Sequence, residues 1–217
     1  MTVLSSYSPP DDPLVVLHQE ESFLVVDKPA GLLSVPGRGP HLADCLISRI
    51  SAVFKDVLLV HRLDRDTSGV MVFARTKQAQ KSLGQQFEKK LTQKTYVARI
   101  AGQPEANGGM VDLPLIVDWP NRPRHKVCHE TGKPAQTEWC VLERGDGETR
   151  VKLTPKTGRT HQLRLHMMAL GYPILGDPFY AEGSDADFDR MMLHSETLQF
   201  NHPETGIEVD FRSPAPF

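Results

Sequence analysis

Val57-Leu58-Leu59-Val60-His61-Arg62-Leu63-Asp64-Arg65-Asp66-Thr67-Ser68-Gly69-Val70-Met71-Val72-Phe73-Ala74 sets two apolar, β-prone runs on either side of a densely polar stretch. Such runs read as strands, so residues 61–69 read as a loop held between rigid flanks. Functional side chains are commonly placed that way. The loop gathers His61, Arg62 and Arg65, the carboxylates of Asp64 and Asp66, and the hydroxyls of Thr67 and Ser68. The competing reading is a plain polar turn, in which Asp66 and Ser68 cap backbone groups and Gly69 supplies a special dihedral. A metal site fits poorly, because Arg62 and Arg65 would set positive charge beside any ligands drawn from His61, Asp64 and Asp66.

Outward from this loop the elements alternate. Leu14–Leu17 and Phe23–Val26 read as short strands, followed by a Pro- and Gly-rich loop through Pro29, Gly31, Pro36, Gly37 and Gly39. Apolar residues at Leu42, Leu46, Ile50 and Val53 predict a helix over 42–54. Lys77–Lys90 reads as a helix with Thr76 as N-cap and Ala79, Leu83 and Phe87 as its buried stripe. Thr95–Ala101 reads as a strand, and Gln103–Gly109 as a loop between two lobes. The second half reads as strands near Val111–Leu113, Lys126–His129, Thr137–Leu142, Arg150–Thr154, Glu196–Phe200 and Glu208–Phe211, interrupted by a helix over Arg159–Leu170 that Gly171 closes. The fold class expected is α+β: a mixed α/β chain with a central mixed, mainly antiparallel sheet in two lobes flanked by helices, forming one domain over 1–217 divided near 102–110.

Composition narrows the function classes. With 217 residues, 39% of them hydrophobic and 24% charged, the chain suffices for one sizeable core. The polar start, Met1 to Asp12, lacks the layout of a signal peptide, and no stretch approaches a membrane helix. Three cysteines without close spacing make neither a zinc pattern nor a disulfide framework, which points to a reducing cytoplasm. A net charge of −2 argues at first against nucleic acid. The charge is segregated, however. Residues 75–99 carry seven Lys/Arg against one acid, 150–175 five against none, and 176–217 two against nine. A basic groove can therefore coexist with a mildly acidic total. Motifs for nucleotide-binding P-loops and Rossmann folds, zinc proteases and esterases are absent.

Two further segments carry chemistry. In Thr157-Gly158-Arg159-Thr160-His161-Gln162-Leu163-Arg164-Leu165-His166, helical spacing puts Leu163, Met167 and Leu170 on a core face and His161 and Arg164 on a basic one. An anion is expected near Gly158–Thr160 at the helix N-terminus; an ordinary amphipathic helix is the alternative. In Gln93-Lys94-Thr95-Tyr96-Val97-Ala98-Arg99, a strand would put Lys94, Tyr96 and Ala98 on one face. Tyr96 there either stacks on a base or fills the edge of the core.

These segments together resemble a known family. His61-Arg62-Leu63-Asp64-x-x-Thr67-Ser68-Gly69 is similar to the signature of the RluA family of pseudouridine synthases. Lys28-Pro29-x-Gly31-Leu32 resembles its N-terminal motif, Lys94-x-Tyr96-x-Ala98 its tyrosine strand, and Gly158-Arg159-Thr160-His161-Gln162-Leu163-Arg164-x-His166 its arginine helix. Gly176-Asp177-x-x-Tyr180 and His194 also fall in step, so the resemblance spans nearly the whole chain. Residues 112–123 and 130–138 look like the member of that family that modifies both 23S rRNA and the tRNA anticodon loop. The resemblance to that short member leads us to expect no S4 domain ahead of the catalytic part.

The resemblance implies the pseudouridine-synthase fold and isomerisation of uridine in RNA, which breaks the ribose C1′–N1 bond, turns the base and rejoins it through C5. That chemistry requires no cofactor. It implies Asp64 as nucleophile, Arg164 as the ion-pair partner that keeps Asp64 anionic where burial alone would raise its pKa, and Tyr96 stacked on a flipped base. It places His61, Arg62, Leu63, Thr67 and Lys94 toward substrate, with Arg62 suited to fill the space the base vacates. It does the same for Arg159, Thr160, His161, Leu163 and His166. The expected partner is RNA, 23S rRNA and tRNA stem-loops, bound by a monomer with no membrane association. The rival readings are a non-catalytic RNA-binding module, which would have no chemical need for Asp64, and a hydrolase of N-glycosidic bonds, which would release free base.

Overall fold

The structure, a computed structural model, describes residues 7–217; the first six residues of the polar start lie outside it. In chain order the strands are β1 (Val15–Gln19), β2 (Phe23–Lys28), β3 (Leu58–Leu59), β4 (Ser68–Ala74), β5 (Gln93–Ala101), β6 (Gly108–Asp112), β7 (Leu115–Val117), β8 (His125–Val127), β9 (Gln136–Arg144), β10 (Glu148–Pro155), β11 (Leu193–Asn201) and β12 (Glu208–Arg212). The α-helices are α1 (Leu46–Val53), α2 (Lys77–Glu88) and α3 (Gln162–Ala169). The expected strand-dominated α/β fold is present. Among the described residues no helix is long and apolar enough to cross a membrane.

The chain divides into two compact units, residues 1–93 with 195–215, and 94–194 with 216–217. This corrects the expected division: residues 103–109 lie wholly inside the second unit, in the β5–β6 connection and the first two residues of β6. The Pro and Gly residues there mark a turn, whereas the true boundary falls at Gln93/Lys94, within β5, where composition does not change.

In the first unit β1, β2 and β4 pair antiparallel in that order, β3 pairs with the end of β4, and β12 pairs with β11, which neighbours β4. All seven residues of β4 are buried, which explains its unbroken apolar run. Helix α2 starts at the expected cap, where Thr76 Oγ1 accepts the Ala79 N–H at 3.1 Å. It lays Ala79 and Leu83 against Phe23, Val25, Val70, Val72, Leu198 and Phe200. Each such fully buried side chain contributes about 1.5–3 kcal/mol. Gly69 has φ +113°, and a Cβ there would meet the Ser195 carbonyl oxygen at 2.2 Å, so only glycine fits. Helix α1 is shorter than its apolar spacing suggested. Leu42 is buried from a separate 3₁₀ turn, and Cys45 is extended with its N–H given to Ser48 Oγ.

In the second unit β5, β10, β9 and β6 pair antiparallel in that order, and β7 pairs with β8 in a separate ribbon. Helix α3 packs on β8 and β9. It differs most from expectation. The helix starts at Gln162, because His161 is left-handed at φ 57°. Gln162 to Met167 are all buried, so α3 presents no solvated basic face.

Candidate active site

In the first unit, residues 61–67 run from β3 to β4 as an irregular loop fastened at several points. His61 stacks on Phe87 of α2 with ring centroids 4.4 Å apart, and its Nε2 accepts the Val72 N–H at 3.1 Å. Ser34 Oγ donates to the Leu63 carbonyl at 2.7 Å and accepts the Leu63 N–H at 3.2 Å. Lys28, with no exposed surface, donates Nζ to the carbonyls of Pro29 (2.9 Å), Leu32 (2.6 Å) and Arg65 (2.8 Å). The N-terminal motif is thereby tied to the loop by an ammonium among carbonyl oxygens. Arg65 forks onto Asp66 at 2.8 and 3.0 Å, and the Thr67 N–H closes a turn on the Asp64 carbonyl at 3.2 Å. Within this frame Asp64 is half-buried, Arg62 exposed, and Leu63 and Thr67 buried. His61, Leu63 and Thr67 thus shape the loop, while Arg62 and Asp64 present groups at its surface.

In the second unit Tyr96 lies in β5 opposite Leu153 of β10 and is 9% exposed. Lys94, two residues earlier, is half-buried, and burial pushes its ammonium pKa down. A Cβ added at Gly158 would stand 4.0 Å from Lys94 Nζ, so the tyrosine strand and the Gly158–His161 turn are neighbours. Gln162 organises that turn. Its Oε1 accepts from Thr157 Oγ1 (2.7 Å) and the Arg159 N–H (3.0 Å), and its Nε2 donates to the Gln136 carbonyl (2.8 Å) and Thr137 Oγ1 (3.0 Å). Within Gly158–Thr160, where an anion was expected, the Arg159 N–H is therefore already engaged. Arg159 and Thr160 are exposed, and Leu163 is 8% exposed. His161 Nδ1 lies 2.8 Å from the Tyr180 hydroxyl. His166 is fully buried, 2.9 Å from Thr137 Oγ1 and 3.1 Å from the Leu113 carbonyl, and desolvation lowers its pKa. That ring holds α3 to the sheet.

Arg164 is 2% exposed. Its Nε and Nη2 fork onto the buried carboxylate of Asp177 at 2.6 and 2.7 Å. Asp177 Oδ1 also accepts the N–H groups of Phe179 (2.9 Å) and Tyr180 (3.1 Å). The guanidinium is held in one plane by a bidentate pair, the geometry in which arginine is strongest.

Known proteins resemble the chain in sequence and in fold. The profile described as "RNA pseudouridylate synthase" covers residues 22–169. The chain belongs to the RNA pseudouridylate synthase family. The "Dual-specificity RNA pseudouridine synthase RluA" of Escherichia coli (strain K12) is 52% identical over 99% of both chains. The protein of that name from Vibrio vulnificus (strain CMCP6) is 50% identical over 92% of this chain and 82% of its own. Among solved structures, human RNA Pseudouridylate Synthase Domain Containing 1 superposes with a TM-score of 0.82 at 30% identity, over 97% of this chain and 87% of its own.

In this pseudouridine synthase several positioning residues escaped the sequence reading. Lys28, Gln162, Asp177 and Tyr180 stand inside the quoted motifs, but no residue spacing shows that Lys28 reaches Arg65 or that Asp177 seats Arg164. Ser34 gave no signal within its Pro/Gly-rich loop. Among the described residues no group of three or more His, Cys, Asp or Glu is placed to hold a metal ion.

Proposed function

We propose that this pseudouridine synthase modifies specific uridines in both 23S rRNA and the tRNA anticodon loop, with Asp64 as the nucleophile. The observation that carries the reading is the fastening of the 61–67 loop by Lys28, Ser34 and His61, which fixes the backbone that bears the half-buried Asp64. A nucleophile needs such preorganisation. Relatives about half identical to the chain bear dual-specificity names, which supports the two RNA classes.

In the proposed reaction the target uridine is flipped out at a cost of a few kcal/mol. Exposed Arg62 suits the role of filling its place, and Tyr96 that of stacking on the base. Asp64 assists scission of the glycosidic bond while the base turns to present C5. Arg164, its plane set by Asp177, serves as the cation that keeps Asp64 ionised. Lysines and arginines of 75–99 and 119–134 hold phosphates, which position the RNA without specifying it. The enzyme acts as a monomer in the cytoplasm, a compartment in which its three free cysteines stay reduced.

The test is Asp64→Ala. The variant is expected to fold and bind an unmodified tRNA transcript yet release no tritium from C5-labelled uridine; retained turnover would remove Asp64 from the mechanism. Mass spectrometry of wild-type products should show RNA of unchanged mass, and free uracil would favour a hydrolase instead.

A further inference from the structure

Tryptophan is ordinarily a large, well-buried side chain, yet Trp119 is 66% exposed at the tip of the β7–β8 ribbon. The tip is nevertheless built. The Asp118 N–H reaches the Arg124 carbonyl (2.9 Å), the Asn121 N–H the Asp118 carbonyl (3.0 Å), and the Arg124 N–H the Asn121 carbonyl (3.0 Å). Asn121 Nδ2 also donates to Asp118 Oδ2 at 2.8 Å. Arg122 lays its guanidinium on the indole, 3.0 Å from the ring centroid. With one face so covered and the ring still largely exposed, the opposite face is open to solvent. Beside Trp119 stand three cations, Arg122, Arg124 and Lys126, against one acid, Asp118, whose carboxylate lies 3.7 Å from Lys126 Nζ.

The ribbon is tied to the segment that seats Arg164. Arg124 Nη2 donates to the Phe179 carbonyl and stacks over Tyr180, and the Tyr180 hydroxyl accepts the His125 N–H at 2.8 Å. An aromatic face backed by arginine and flanked by cations matches an unpaired nucleobase and its phosphates. We propose that Trp119 is a second stacking platform, which takes an unpaired base of the RNA substrate other than the target uridine and so contributes to substrate selection. This rests on the RNA-modifying reading above.

The chain has two tryptophans, and the other, Trp139, is 7% exposed, so Trp119 can be followed by its own emission. An unmodified tRNA transcript is titrated into the intact enzyme, and turnover is measured on the same RNA. Wild type should show saturable quenching. Trp119→Ala should lose it and raise KM about tenfold, with a much smaller fall in kcat; Trp119→Phe should recover most of the KM. Quenching that persists in Trp119→Ala, or an unchanged KM, would overturn the platform alone, since wild-type turnover stands. Wild-type enzyme that forms no pseudouridine in tRNA or rRNA would overturn the function and the platform with it.

Discussion

Lys28 and Asp64 are 36 positions apart, yet the first governs how the second is presented. A lysine without exposed surface is costly unless its ammonium is met by oxygen, and here three carbonyls meet it. Replacing it leaves those acceptors facing an apolar side chain. Hydrogen bonds to charged groups each contribute about 1.5–3 kcal/mol. Lys28→Met is therefore expected to lower stability by about 3 kcal/mol and to loosen the 61–67 loop. Urea unfolding measures the first effect and amide exchange at Arg65–Thr67 the second; a variant of wild-type stability with a protected loop would contradict the staple. Asp177 has a parallel role for Arg164, as the group that fixes the guanidinium plane.

Helix α3 belongs to the scale of the element, because its burial is paid back by polar groups far along the chain. His166 reaches Thr137, 29 positions away, and Arg164 reaches Asp177, 13 away. The lowered pKa of His166 has a definite sign for stability. Above about pH 6.5, the ordinary value for histidine, folded and unfolded chains both hold the ring neutral. Below it the unfolded chain takes a proton that the folded helix resists, so stability falls as pH drops. Thermal melts at pH 7.5 and pH 5.5 should separate more for wild type than for His166→Gln, which keeps an amide for Leu113 and Thr137; identical separations would exclude His166 as the cause.

The same long-range partners explain what the sequence revealed and what it hid. Helix α2 was legible because its cap, Thr76, and its buried Ala79 and Leu83 lie within one local pattern. The start of α3 was misread because nothing local announces a left-handed His161, and His161 and Arg164 read as one basic face only while their remote partners were unknown. Strand β7 was missed because its three residues directly follow Leu113-Pro114 and pair only across the turn with β8. The motif residues of the candidate site were found through their types and order, whereas the seats beneath them, Ser34 above all, are set by contacts between distant segments.

For the molecule as a whole, charge sorting outweighs net charge. A total of −2 coexists with +6 over 75–99 and +5 over 150–175, so RNA affinity should have a strong electrostatic part. The dissociation constant for a tRNA transcript is expected to rise by at least about tenfold between 50 and 200 mM salt. A flat dependence would show that these cations do not meet phosphate.

The route of the chain fixes an order of assembly. Val70 and Ser195 touch although 125 positions separate them, and Gln86 is bonded to Asn201 at both ends of its amide. The unit that bears the 61–67 loop is begun before the second unit but stays open along β4 until β11 and β12 emerge. Contacts of such sequence separation slow folding, and an unfinished strand edge invites foreign pairing. A newborn chain is thus at its most vulnerable while the second unit is being made, when β4 still lacks a wall.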